Sequence, residues 1–195
     1  MTLLINEKEE SNIEELEFWI WISHIKNLTF EIFELLLKKY GNIKEIWNLN
    51  KKELETNKFL SESLILDLSN DFYKRNLNVY LNYMGKNNIK IVNYTNKDYP
   101  QKLNYIKNRP IVLYMKGNTK NVNNETVAIV GSRMASLYGK KNAYFFSYEL
   151  AKRNVNIASG LAKGIDAYSH IGALKAKGKT IAVIGCGLDQ IYPKE

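Results

Sequence analysis

Over the first eighty-odd residues the apolar positions recur at helical intervals. Ile13, Leu16, Phe18, Ile20 and Ile22 are interleaved with acids, Asn27-Leu28-Thr29 interrupts the pattern, and Phe30, Phe33, Leu36 and Leu37 resume it. Lys38-Lys39-Tyr40-Gly41 reads as a basic last turn with a glycine stop. Asn42 and Asn50 are placed to cap short helices over 43–47 and 51–55, and the spacing predicts further helix over 61–83. No strand pattern occurs in this stretch, so it predicts a small all-helical domain over residues 1–85.

The rhythm changes near Gly85. Residues 90–94 (KIVNY) and 111–115 (IVLYM) are short β-branched and aromatic runs, joined by a stretch holding Pro100, Pro110, Lys97, Lys102, Lys107 and Arg109. From residue 126 strands and helices alternate: strand 126–130, helix 137–154, strand 155–158, helix 165–177, strand 180–184. This βαβαβ order predicts an α/β fold, with a Rossmann-like parallel sheet in a second domain over 86–195. Right-handed crossovers bring the three strand ends to one edge of that sheet.

Each strand runs into a glycine turn: Gly131-Ser132-Arg133, then Ser159-Gly160-Leu161-Ala162-Lys163-Gly164, then Gly185-Cys186-Gly187. Open parallel sheets bind ligands at this edge, where bare backbone N–H groups and helix N-termini favour anions. The serines add hydroxyls, and Arg133 and Lys163 add full charges, the guanidinium with a planar fork suited to phosphate. Together these residues predict a phosphate site, the alternative being that the glycines merely make tight turns. Neither standard nucleotide motif fits. The first turn reads GSRMASLYG, not G-x-G-x-x-G, the second strand ends in Ser159-Gly160 where a dinucleotide site would place an acid, and no P-loop occurs.

Charge and composition narrow the partner. Residues 1–90 hold 12 Lys+Arg against 14 Asp+Glu, a net of −2, whereas residues 91–195 hold 16 against 6, a net of +10. The basic half suits an anionic partner, although a Lys- and Asn-rich composition also follows from an AT-rich genome. The 195 residues are 45% hydrophobic and 12% aromatic, enough for one domain or two small ones. No apolar run is long enough to span a membrane, and the acidic start is unlike a secretion signal. One cysteine, Cys186, excludes an internal disulfide, and two histidines with no clustered acids give no metal site. A reducing cytoplasm is the expected location.

Catalytic groups are scarce. Asp166 and His170 stand at i and i+4 of one helix and could form an acid–base pair, or could cap and pack that helix. Cys186 is either a reactive thiol or a small residue between glycines. Tyr192 could stack on a base or, with Pro193, form a rigid wall.

The order of these motifs resembles the DNA-processing protein A family (DprA, also called Smf). The resemblance rests on Gly131-Ser132-Arg133, Ser136, Tyr138-Gly139, Ser159 to Asp166, His170, Gly172-Ala173-Leu174, Gly178 to Gly187, Asp189 and Tyr192-Pro193. Asp98-Tyr99-Pro100, Leu103, Arg109-Pro110 and Leu113-Tyr114 through Gly117 look like the family's lead-in. The departures are Tyr168-Ser169 beside His170, where a small residue is usual, and an ending well short of the family's full sheet. Residues 86–195 would thus supply only the first part of that domain. The resemblance implies a non-catalytic protein without cofactor. Such a protein binds single-stranded DNA during natural transformation, protects it, and helps load the RecA recombinase. The implied phosphate contacts are Arg133 and Lys163, with Gly131, Ser132, Ser159, Gly160 and Gly164 shaping the pocket. A homodimer would depend on the family's later segment. The first 85 residues resemble a helix-hairpin-helix or sterile-alpha-motif bundle, without the hairpin glycine expected near Lys26 to Thr29. The alternative is a nucleotide-binding or nucleotide-processing Rossmann protein similar to the phosphoribohydrolases, whose Pro-Gly-Gly-x-Gly-Thr-x-x-Glu motif is absent up to Glu195.

Overall fold

The computed structural model describes residues 7–120 and 122–190. Its residues divide into two compact units, Met1–Thr119 and Lys120–Glu195. The first unit begins with seven helices among the described residues: α1 (Glu7–Ser23), α2 (Phe30–Tyr40), α3 (Ile43–Asn48), α4 (Lys51–Glu55), α5 (Glu62–Leu68), α6 (Asp71–Arg75) and α7 (Leu77–Asn87). Polar caps set several of their starts. Thr29, Asn42, Asn50 and Ser61 each accept a hydrogen bond from the backbone N–H three residues on, and Glu53 completes a capping box with Asn50. The helix expected over 61–83 is divided among α5, α6 and α7. Asn70 takes the Phe72 N–H at 2.9 Å and Asn76 donates to the Phe72 carbonyl at 2.7 Å, so side chains compete for the backbone at both breaks.

Trp21, Phe33, Leu36, Ile46, Leu54 and Leu68 are fully buried at the centre of this unit. Edge-on ring pairs, Trp21–Trp47 at 5.2 Å and Trp19–Phe33 at 6.1 Å, fill it. Two antiparallel strands, β1 (Ile89–Asn93) and β2 (Val112–Lys116), pair with Ile91 opposite Tyr114. They belong with the helices. Ile111 lies in the helical core with Tyr94 packed against it, and Ile89 and Ile91 cover Leu77 and Met84. The break expected between residues 85 and 86 therefore does not coincide with the division at 119/120. Between the strands Tyr99 is buried and donates to the Pro110 carbonyl at 2.7 Å. Arg109 stacks 3.9 Å from the Phe30 ring and donates to the Asn104 carbonyl.

The second unit is the expected alternation: β3 (Thr126–Ala128), α8 (Leu137–Lys152), β4 (Asn156–Ser159), α9 (Ile165–Lys175) and β5 (Thr180–Ala182). The strands are parallel in the order β3-β4-β5, with Val127 beside Ile157 and Ala158 beside Ile181. Right-handed crossovers between neighbours in that order place both helices on one face. There Ile157, Ala151 and Ala173 form a small core with Ile129 and Leu150. Gly172 lets α9 close on α8, since a Cβ would strike Ser147 and the Tyr144 carbonyl. Beyond the strand ends Val130 and Val183 are exposed. The fold is thus α/β with a Rossmann-like parallel sheet, as the hydrophobic rhythm predicts. No helix among the described residues is long and apolar enough to cross a membrane.

Candidate functional site

The three glycine turns meet at one strand edge around a cleft of about 450 Å³. Gly131 and Arg133 from the first turn, Gly160 and Ala162 from the second, and Gly185 and Cys186 from the third line it, with the Asp166 carboxylate among them.

Asp166 organises this edge. The residue is 6% exposed. Its carboxylate accepts hydrogen bonds from the N–H groups of Gly131 at 3.3 Å, Gly160 at 3.1 Å and Ala162 at 3.4 Å. The chain reaches this arrangement by placing Leu161 in the left-handed region, φ 58°, so that the loop folds around the carboxylate. Gly164, at φ 80°, then passes so close to the carbonyls of Ser132 and Arg133 that no Cβ fits, and the Ile165 N–H donates to Ser132 at 3.2 Å. The second loop is thereby fastened to the first.

Two of the glycine amides assigned to an anion from sequence, those of Gly131 and Gly160, therefore already face an internal anion. A phosphate at this edge depends on side-chain cations instead. Arg133 is exposed at the cleft and makes no ion pair among the described residues. Lys163 is exposed on the neighbouring loop, one residue before Gly164. Ser132 is exposed, and its hydroxyl oxygen accepts the Met134 N–H at 3.1 Å. Ser159 is buried, and its hydroxyl donates to the Ile129 carbonyl at 2.7 Å. Of the residues singled out from sequence, Gly131, Arg133 and Gly160 line the cleft, Ser132 and Lys163 stand at the surface, and Ser159 and Gly164 are built into the frame.

His170, also 6% exposed, points its chemistry away from that cleft. Its Nδ1 lies 2.6 Å from the Thr180 hydroxyl, whose proton is committed to the Ile157 carbonyl at 2.8 Å. Nδ1 is therefore the donor, and because Nε2 is buried without a partner among the described residues, a second N–H there would go unsatisfied, which favours the neutral ring. Burial lowers the imidazole pKa below its ordinary value, opposed by the charge of Asp166. Both members of the candidate acid–base pair are thus held in structural hydrogen bonds, one by amides and one by a threonine. Cys186 is an exposed free thiol in the third turn. Tyr192 and Pro193 lie outside the described residues. The sequence reading missed the triple-amide role of Asp166. Its signal was an acid in the first turn of a helix that directly follows a glycine.

Residues 90–195 match the family model described as DNA recombination-mediator protein A. DNA processing protein DprA of Streptococcus pneumoniae is 48% identical over 96 residues, which are 49% of this chain and 34% of that protein. Protein Smf of Synechocystis is 29% identical over 185 residues, 93% of this chain and 46% of that one. The chain thus spans between a third and a half of the length of these curated relatives. The X-ray structure of DprA from Streptococcus pneumoniae matches 94% of this chain and 60% of its own, at a TM-score of 0.66 and 30% identity. The matched segment contains all three glycine turns, Arg133 and Lys163. The chain belongs to the DNA recombination-mediator protein A family.

Proposed function

We propose that this chain binds single-stranded DNA at the strand edge built from Gly131, Ser132, Arg133, Ser159, Gly160, Lys163 and Gly164. Its role is that of a non-catalytic mediator in the cytoplasm, protecting incoming DNA and helping to load the RecA recombinase. The observation that carries the reading is Arg133, an exposed guanidinium without an ion pair among the described residues, at a cleft where Asp166 already takes the Gly131, Gly160 and Ala162 amides. A fork held outward from a rigid turn suits one phosphate of a chain that runs on past the site. Lys163 supplies the second charge, because Gly164 and Ile165 anchor its loop against Ser132 and Arg133. The exposed Val183, outside the cleft lining, offers an apolar surface for self-association.

A second reading, a free nucleotide in the cleft, is favoured by its volume of about 450 Å³. The buried carboxylate in the cleft wall opposes it. Competition separates the two. A labelled oligo-dT is titrated with the full chain and then challenged with mononucleotides. Displacement only by longer single strands, and weaker binding at higher salt, supports the DNA reading. Saturable mononucleotide binding without DNA binding overturns it.

A further inference from the structure

Immediately after Arg133 the chain turns three large apolar side chains to solvent. Met134 is 94% exposed, Leu137 84% and Tyr138 79%. Single exposed apolar residues are ordinary, but three within five positions beside an unpaired cation form a patch that needs an occupant.

The patch is held in place. The Ser132 hydroxyl accepts the Met134 N–H at 3.1 Å, and the Ser136 hydroxyl, capping α8, accepts the Gly139 N–H at 3.2 Å. Gly139 sits close against Ile165, where a Cβ would lie 3.3 Å from the Ile165 side chain. The backbone under Leu137 and Tyr138 is thus pinned at both ends, so the main chain needs no ordering on binding.

The charge of this unit narrows the partner. Residues 120–195 hold 11 Lys+Arg against 5 Asp+Glu, a net of +6, and of those acids Asp166 is buried and Glu149 is paired with Arg153. An apolar surface flanked along the chain by Arg133, Lys140 and Lys141 fits a ligand with apolar faces on an anionic thread. We propose that Met134, Leu137 and Tyr138 form a stacking platform for unpaired bases of the strand whose phosphate Arg133 holds. Every base presents a π-face to the tyrosine ring and the thioether, so the platform is indifferent to sequence. Duplex DNA keeps those faces inside its own stack, so the platform gives the site its preference for single strands. The proposal rests on the DNA reading above.

The test compares oligo-dT, an abasic oligonucleotide of equal length and a duplex, each titrated with the full chain by fluorescence anisotropy. Oligo-dT is expected to bind about tenfold or more tightly than the abasic strand. Tyr138→Ala should remove most of that advantage and leave abasic binding and the salt dependence unchanged, whereas Tyr138→Phe should keep it. Equal dT affinity in Tyr138→Ala and the unaltered chain overturns the platform and spares the DNA reading. So does an equal loss for dT and abasic strands, which marks a structural effect. A change in sedimentation of Tyr138→Ala without a change in dT binding assigns the patch to a second copy instead. Absence of binding to every oligonucleotide overturns the DNA reading and the platform together.

Discussion

In the first unit four basic side chains, Lys39, Lys74, Lys90 and Arg109, are engaged by the fold, whereas in the second Arg133 is left facing outward. Lys74 lies 5.5 Å from the Trp21 ring and 4.8 Å from the Trp47 ring and donates to the Trp47 carbonyl at 2.6 Å. Burial lowers its ammonium pKa against the pull of Asp71. Arg109 is stacked on Phe30, Lys39 donates to Asn57 at 2.7 Å, and Lys90 is paired with Asp98, whose carboxyl it holds below its usual range. In the second unit Arg133 sits on a turn fastened by Asp166 and Ile165, with no ion pair among the described residues. Net charge points the same way, +2 over residues 1–119 and +6 over 120–195. It does not single out a residue. What marks Arg133 as a candidate contact is its exposure at the cleft with no ion pair among the described residues.

The same contrast orders the expected effects of substitution. Phe33 is fully buried among Trp19, Phe30 and Tyr94, so Phe33→Ala should destabilise the first unit by about 3–5 kcal/mol. All three tryptophans, Trp19, Trp21 and Trp47, lie in that unit, so denaturant unfolding followed by tryptophan fluorescence reads it. Under native conditions oligo-dT affinity should be unchanged, and a matching loss would place DNA contacts in the first unit. Asp166→Ala comes next. It strands three backbone donors and should destabilise the second unit by about 3 kcal/mol, read by hydrogen exchange of Gly131 and Gly160. Unchanged protection there would show that the carboxylate is not the fastener.

Arg133→Ala should weaken oligo-dT binding by about 1–2 kcal/mol, with Arg133→Lys recovering only part because it loses the bidentate fork. Lys152→Ala, at the other end of α8, is the control and should have little effect. The smallest effect expected is a pH dependence. The folded imidazole of His170 has a lowered pKa, so the unfolded chain binds more protons once pH falls below about 6.5. The stability tied to the neutral ring is complete above that pH and is lost as pH falls towards the folded value. His170→Asn, which can keep a donor towards Thr180, should flatten this acid limb in pH-dependent unfolding. An identical limb in that variant would contradict the neutral-ring assignment.

Much of this was legible in the chain. The βαβαβ rhythm from Thr126 to Ala182 gave the parallel sheet and the meeting of the glycine turns, because strand period and helix spacing are local properties. Thr29 and Ser61 as caps follow from the same local rules as Asn42 and Asn50. Two things depended on tertiary contacts. The pairing of β1 with β2 and its attachment to the helical core arise from Ile91, Tyr94 and Ile111 meeting residues far away in sequence. The use of the Gly131, Gly160 and Ala162 amides arises from where α9 brings Asp166. Both are non-local, and glycine spacing alone could not distinguish an amide that awaits a phosphate from one already taken.

The central claim is that side-chain cations, and not the Gly131 and Gly160 amides, hold phosphate at this edge. It is tested most directly by the salt dependence of oligo-dT binding in the unaltered chain, in Arg133→Ala, in Lys163→Ala and in the double variant. Each real phosphate contact contributes about −0.7 to the slope of log K against log salt. The account predicts a slope flattened by about 0.7 in each single variant and by about 1.4 in the double variant. A double variant that keeps the original slope and affinity, in a protein whose unfolding is unchanged, would contradict it.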